Sequence, residues 1–475
     1  MGQGLLVMKF GGSSVGSAER IAASAGLIAE ARRERPVVAV VSAMSKVTDT
    51  LLETMRRAEA GDRAGLEANI RQLDERHTGV CRALLPADRQ APILAGIHAL
   101  LKDFERIAQG MLMLSDKPPR AVDEAVATGE KLSALLAAAV LEARGVAATA
   151  IDGSEVIVTD ATFGNASPLL EKTRQRAGAR LGPLLAAGVV PVVTGFNGAT
   201  LDGRPTTLGR GGSDFSASIL AAALDAEELW IWTDVDGIMT ADPSVVADAA
   251  LLDVVSYNEA AELAYNGAKV LHPRTLAPLV EKQIPVWSKN SFAPEKPGTR
   301  IVPQIRDGGG VCAITSLARV ALITIEAANA SMQGAQLMAR ALDALARVNV
   351  EVLMLSRSSY RQNFCVLVRS EELEMAMESL ESALALELTH GYVHPVAVED
   401  SVGLLAVVGE GMRGTPGLAG RLFTAISQER INIIAIAQGS SELTIAIVVR
   451  RDELDRAVRA VHAECRLGER GRRAG

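Results

Sequence analysis

The chain has 475 residues, 48% of them hydrophobic and 22% charged, and a formal net charge of −7. That balance suits a globular protein with room for more than one core, and it offers no basic footprint for nucleic acid. No apolar run reaches the roughly 18 residues of a membrane span, and the N-terminus has no charged segment leading into an uninterrupted apolar one, so a cytoplasmic protein that does not engage membranes is expected.

The first apolar run, residues 5–10, predicts a buried strand, and residues 18–33 predict a helix. Lys9-Phe10-Gly11-Gly12-Ser13-Ser14-Val15 therefore falls at a strand-to-helix turn. Glycine lets a backbone approach an anion, the helix start adds partial positive charge, and Lys9 adds a full one, which reads as a phosphate cradle. An ordinary tight turn is the competing reading, and the lysine ahead of the glycines rules out a P-loop.

Strand-like runs at 36–42, 146–151, 189–194, 229–233 and 284–286 alternate with helical stretches, which predicts a mainly parallel sheet with helices on both faces. Residues from about 51 to 115 read as a polar helical lobe. Ala127-Thr128-Gly129-Glu130-Lys131 opens the apolar helix 132–144, where Glu130 either complements the helix dipole or meets a ligand. Thr206 to Asp214 repeats the glycine-rich device ahead of a helix at 215–223. Arg210 offers a planar fork for a carboxylate or phosphate, while Ser213 and Asp214 are either helix caps or site residues. The strand 229–233 runs into Asp234-Val235-Asp236-Gly237, at an edge where ligands gather in doubly wound sheets; one of the two acids is expected only to form the turn. Residues 257–271 predict a helix, with Pro273 near its stop.

After a glycine-bearing connector at 303–310, the chain repeats itself without a gap at an offset of 81: Arg340–Leu345 matches Arg421–Ile426, and Val350–Val368 matches Ile431–Val449. Each copy reads as strand, glycine-containing loop, helix, strand, turn, strand, helix. A ligand sensor and a duplicated dimerisation module both fit that pattern. Cys81, Cys312, Cys365 and Cys465 lack C-x-x-C spacing and are expected to be reduced thiols, mostly buried, and the histidines show no metal spacing.

In these motifs, together with Gly267-Ala268-Lys269-Val270-Leu271-His272-Pro273, the chain resembles the aspartate kinases, a branch of the amino acid kinase family. The likeness covers nearly the whole sequence. It is strongest to the kinase half of bifunctional aspartate kinase/homoserine dehydrogenases, with no region expected for their nicotinamide-binding half. The resemblance implies an α/β amino acid kinase fold over residues 1–305, with the helical lobe at about 51–115. Two α+β ACT-like, ferredoxin-type units follow at 317–394 and 402–468. It implies transfer of phosphate from ATP, with Mg²⁺, to the β-carboxylate of L-aspartate, giving 4-phospho-L-aspartate at the start of lysine, threonine and methionine synthesis. Lys9 and Asp214 would be catalytic, and Thr48, Glu130, Arg210 and Ser213 would hold the substrate. Lys9, the N–H groups of Gly11, Gly12 and Ser14, and Thr233, Asp234, Met239, Lys269 and Val270 would hold the nucleotide.

By the same likeness, Met412, Asn432, Ile433 and Gln438 would bind an amino acid effector, threonine first and lysine second, and the ACT-like units would join copies into a homo-oligomer. Two nucleotide positions depart from the family's pattern. Met239 stands where a tyrosine is usual and Ser244 where an arginine is usual, so weaker ATP binding is expected. The first ACT-like unit also departs, with Arg357-Ser358-Ser359-Tyr360-Arg361 in place of a Gln-Ser-Ser-Ser-Glu run. Another amino acid kinase, or a regulatory subunit with little turnover, are the alternative readings.

Overall fold

The computed structural model describes residues 4–268, 271, 273–305, 310–328, 334–358 and 363–472, and the chain divides into two compact units, 1–238 with 271–304 and 239–270 with 305–475. Lys269, Val270 and the Ser359–Arg361 part of the departing run lie outside the described residues.

Runs of β-branched and aliphatic residues form the strands of the first unit: β1 (Leu6–Phe10), β2 (Val37–Val41), β3 (Ala148–Ile151) and β4 (Val190–Thr194), then the short hairpin β5 (Asn197–Ala199) and β6 (Pro205–Thr207), then β7 (Glu228–Thr233). Strand β8 (Val254–Ser256) belongs to the second unit, and β9 (Val286–Asn290) and β10 (Thr299–Val302) return to the first. The sheet of the first unit is ordered β3-β4-β2-β1-β7-β9-β10. Its pairs are parallel up to β9, and β10 runs antiparallel. The strand expected at 284–286 begins instead at Val286, because Pro285 has no N–H to give the ladder.

Helices α1 (Ala18–Glu34), α2 (Val47–Glu59), α3 (Arg63–Leu84), α4 (Ala87–Leu114), α5 (Pro119–Val126), α6 (Thr128–Ala143), α7 (Leu170–Ala186) and α8 (Gly212–Ala223) complete most of this unit. The expected polar lobe is α2 to α4, whose buried stripe of Leu51, Met55, Leu66, Leu73, Ile97, Leu101 and Phe104 joins the core beneath β1 and β2. The helix expected over 257–271 stops short, as α9 (Tyr257–Tyr265), and a separate helix, α10 (Pro273–Lys282), follows beyond the expected span. Gly267 breaks the run at φ +101°, and Pro273, expected near a stop, opens the next helix, where its missing N–H costs nothing.

The second unit holds a six-stranded antiparallel sheet, β12-β13-β11-β14-β16-β15, built from β11 (Ala313–Ile325), β12 (Met354–Arg357), β13 (Phe364–Arg369), β14 (Ala397–Val408), β15 (Ala435–Gln438) and β16 (Thr444–Arg450). Its helices are α11 (Gly334–Arg347), α12 (Leu373–Ala383), α13 (Ala385–Thr389), α14 (Leu418–Gln428) and α15 (Leu454–Glu464). The repeat is structural: β12 and β15, and α12 and α15, stand 81 residues apart, as do the left-handed residues Asn349 and Arg430. Each half of the unit is the expected strand, helix, strand, strand, helix. The two halves are joined by the long strands. Ala313–Leu317 of β11 pairs with Leu404–Val408 of β14 in the second copy, and Val320–Ile325 pairs with β13 in the first. The second copy thus draws a strand from ahead of the first.

The segment 239–270 is bound into this unit. Ile314 N–H donates to Thr240 O at 2.8 Å, Thr240 Oγ1 lies 3.0 Å from His462 Nε2, and Ala241 and Val246 join the core of the second copy. No described helix is long and apolar enough to cross a membrane.

Candidate active site

Strand β1 sits where the strand order reverses, with β2 on one side and β7 on the other, so the ends of β1 and β7 open the crevice in which an α/β sheet holds its ligand. The glycine loop follows directly. Gly12 packs so closely on the Ala43 carbonyl that a Cβ would meet it at 3.0 Å, and Ser45 N–H donates back to Gly12 O at 3.2 Å. Two of the three amides expected to hold phosphate are otherwise engaged. Gly11 N–H donates to Trp232 O at 3.2 Å and Ser14 N–H to Gly11 O at 2.9 Å, because the loop continues the β1–β7 ladder and then closes a turn. The Ser14 hydroxyl, 2.8 Å from Ser291 Oγ, is also turned inward.

Lys9 is 8% exposed and reaches Asp214 in the first turn of α8, Nζ to Oδ1 2.5 Å. The two come from opposite ends of the unit's sequence, one from a strand and one from a helix start. Behind them Glu130, 3% exposed in the first turn of α6, accepts the Ala43 N–H at 3.1 Å through Oε1, while Oε2 is buried with no hydrogen-bond partner among the described residues. Burial pushes the Glu130 carboxyl up to about 8, against the pull of the Ala43 N–H, its own backbone and the Lys9 charge. A buried, half-satisfied carboxyl beside a buried lysine is a polarity the described residues do not satisfy, and it makes this edge a candidate ligand site.

Thr48 lies half-buried in the first turn of α2. The neighbouring Val47 side chain would be 3.2 Å from a Cβ on Gly129, so the starts of α2 and α6 meet. Ser213 packs on Gly195 at the end of β4, where a Cβ would be 2.7 Å from its own. Arg210 is exposed between Gly209 and Gly211, both left-handed at φ +75° and +70°. Thr233 and Asp234 follow β7, with the Thr233 hydroxyl 3.2 Å from Asp234 Oδ1.

Sequence reasoning missed several residues that hold this edge. Arg20 Nη2 donates to Ser291 O at 2.6 Å and Oγ at 2.9 Å while its guanidinium stacks 3.6 Å over Phe292, which ties α1 to the end of β9. Asp236 is more than a turn former: Asn290 and Lys296 both reach it at 2.6 Å and hold its carboxyl below the usual range. These contacts join residues more than fifty positions apart, and no local pattern announces them.

In the second unit, Met239 is half-buried and bridges Leu251, and the Ser244 N–H and hydroxyl both donate to Asp242 Oδ1, at 2.8 and 2.6 Å. Of the expected effector residues, Met412 lies in the apolar core of the second copy, Ile433 is half-buried, and Asn432 and Gln438 are exposed. No disulfide joins the four cysteines, of which Cys81 and Cys312 are buried and the other two half-buried.

The first unit is thus a parallel sheet with a lysine-led glycine loop at its switch point, and the second carries a duplicated α+β module. The amino acid kinase family profile matches residues 4–290 and an ACT domain profile matches 405–465. The chain is 30% identical to the aspartokinase of Schizosaccharomyces pombe, with 97% of this chain and 93% of that one covered. It is 35% identical to the chloroplastic bifunctional aspartokinase/homoserine dehydrogenase 1 of Arabidopsis thaliana, covering 97% of this chain but 51% of the relative, so it spans about half that protein's length. Among solved structures, E. coli aspartokinase III in complex with aspartate and ADP in the R-state superposes with a TM-score of 0.82 at 30% identity, covering 97% of this chain and 99% of that one. The same enzyme with lysine and aspartate in the T-state gives 0.80, at the same identity and coverage. The chain belongs to the amino acid kinase family, in its aspartokinase branch.

Proposed function

We propose that the chain phosphorylates the β-carboxylate of L-aspartate with ATP, giving 4-phospho-L-aspartate and ADP. The observation that carries this reading is the Lys9–Asp214 pair at 2.5 Å beside the half-satisfied Glu130, at the carboxyl edge of the sheet. A carboxylate is already a nucleophile at neutral pH, so the protein's work is to align two anions and neutralise the charge that spreads over the transferring phosphoryl group. Lys9 supplies that charge, and Asp214 holds the ammonium in place. Glu130 meets the substrate ammonium through its free oxygen, Thr48 and Ser213 flank the substrate, and Arg210 grips a carboxylate with two N–H groups. The Gly12 amide, at the close approach to Ala43, is the phosphate donor of the loop; Gly11 and Ser14 shape it. Thr233, Asp234, Met239, Lys269 and Val270 serve the ribose and base.

Mg²⁺ enters with the nucleotide. No group of three or more His, Cys, Asp or Glu side chains that could hold a metal by itself is present among the described residues, and Mg²⁺ commonly takes phosphate and water oxygens as ligands. When bound, it neutralises phosphate charge.

The likeness to a lysine-bound aspartokinase and to the bifunctional enzymes supports feedback by an amino acid through the ACT units, with threonine the first effector to test and lysine the second. Assembly into a homo-oligomer through those units is part of the same reading. The test is a hydroxamate assay for acyl phosphate with ATP, Mg²⁺ and L-aspartate, with and without threonine or lysine. Acyl phosphate suppressed by one of them is the expected result. A folded, ATP-binding protein that makes none from aspartate would move the assignment to another acceptor or to a regulatory subunit.

A further inference from the structure

The loop that carries Arg210 has little stiffness of its own, because both flanking glycines occupy the left-handed region. Its rigidity comes from outside. Asp123 on α5 is 1% exposed, and among the described residues it meets no cation. All its capacity goes into three donors: Oδ2 accepts Gly164 N–H at 2.8 Å and Thr207 N–H at 2.9 Å, and Oδ1 accepts the Thr207 hydroxyl at 2.8 Å. Burial raises its carboxyl against the pull of those hydrogen bonds. An unpaired buried carboxylate is a costly way to join two loops. Three donors converging from two segments call for a group that only accepts, which an ionised carboxylate is.

The two segments are also zipped to each other and clamped from the far side. Ala166 N–H donates to Thr207 O at 2.8 Å. Arg274 at the start of α10 donates to Asn165 Oδ1, to Ala166 O at 3.3 Å and to Leu208 O at 3.4 Å, with its guanidinium 5.0 Å from the Phe215 ring centre. Gly209 leaves no room for a side chain, since a Cβ would meet Asn165 Oδ1 at 2.6 Å.

We propose that Asp123 is a positioning residue for the acceptor subsite, fixing Thr207 and Gly164 so that Arg210 is held ready for a carboxylate. The inference rests on the aspartate kinase reading for the identity of that carboxylate. The experiment compares Asp123→Ala, Asp123→Asn and Thr207→Val with the wild type, by steady-state kinetics and by amide exchange of the free enzyme. Asp123→Ala is expected to raise the aspartate KM about tenfold or more, with the ATP KM within about twofold. Exchange should accelerate in peptides spanning 160–167 and 204–212 and not elsewhere. Asp123→Asn keeps the shape and one carbonyl for the two N–H groups, while the Thr207 hydroxyl turns to accept, so most of the loss is restored. Thr207→Val removes a single donor and gives a smaller change of the same kind, which keeps the test alive should the alanine variant not fold.

An unchanged aspartate KM, equal effects on both substrates, or exchange that rises throughout the unit would overturn the positioning role. A wild type inactive with aspartate would instead defeat the substrate assignment, and the exchange arm would still decide whether Asp123 sets the loop.

Discussion

At the carboxyl edge of the parallel sheet the buried groups are Lys9, Glu130 and Asp123, whereas the six-stranded sheet of the second unit buries Val320, Leu322, Leu404, Leu405, Val448 and their like, and places its polar ties at the rim. There Glu410 N–H donates to Glu259 at 2.9 Å, Ser256 and Asn258 reach Glu410 Oε1 at 2.8 and 3.2 Å, and the Thr444 hydroxyl reaches Glu262 at 2.8 Å. The first region keeps, at Glu130, a carboxyl oxygen that no described residue completes. The second is satisfied internally, and its ties run between α9 and the second copy. A buried carboxyl oxygen without a partner among the described residues, as at Glu130, marks a candidate ligand site, whereas a buried carboxylate engaged through both oxygens, as at Glu259, marks where one element is held to another. Among the described residues, the first copy of the repeat has no stretch of the preceding sequence attached to it in this way. The second holds 239–268, which lies in sequence between the expected nucleotide residues Thr233–Asp234 and Lys269–Val270.

The contrast is broken most severely at Lys9. Lys9→Ala should lower kcat about 10²–10³-fold with the fold intact, read by the acyl phosphate assay and circular dichroism; wild-type turnover in the variant would remove Lys9 from the chemistry. An apolar deletion in the second unit should act on stability alone. Ile447→Ala, at a side chain with no exposure, should cost about 2–5 kcal/mol in denaturant unfolding while the folded protein keeps its kcat.

Glu130→Gln should raise the aspartate KM about tenfold, since a neutral amide cannot pair with an ammonium as a carboxylate does. Its effect on the free enzyme carries a distinct sign. The folded carboxyl titrates at about 8 and its ordinary value is 4.5, so between those limits the folded state holds the extra proton. Stability is therefore highest at the acid end of that window and falls as pH rises through it, and Glu130→Gln should flatten the slope. A thermal midpoint that rises toward pH 8 in the free wild type would contradict the buried, half-satisfied carboxyl.

The smallest effect is expected at the rim. Glu410→Ala removes one acceptor shared by Ser256 and Asn258, costs about 1 kcal/mol, and should speed amide exchange in α9 without touching the parallel sheet. Exchange in α9 that stays at the wild-type rate would show that the Glu259 and Glu262 contacts alone suffice.

Much of this molecule is written locally. The period of β1 and α1, the glycines between them, the apolar strands of a parallel sheet and the 81-residue repeat are all patterns of neighbouring residues, and a strand or an amphipathic helix is fixed by such patterns. So is the helical lobe, because three long helices carry their own apolar stripe. Where local signals compete, the sequence misleads: one helical period runs from 257 to 271, yet the helix ends at Tyr265 ahead of the left-handed Gly267, and Pro273 opens a new one.

What the sequence determined by itself is therefore the kind of elements, their order and the residues with chemical capacity, Lys9, Glu130, Arg210 and Asp214. Only the tertiary structure decided that Lys9 pairs with Asp214, that Gly11 and Ser14 spend their amides inside the loop, that Asp123 and Arg274 clamp the Arg210 loop, that β11 serves both copies, and that 239–270 groups with the second unit. Each of these joins groups by the free energy of burial and hydrogen bonding in three dimensions, or commits a donor according to what lies opposite it. Separation along the chain carries no trace of either.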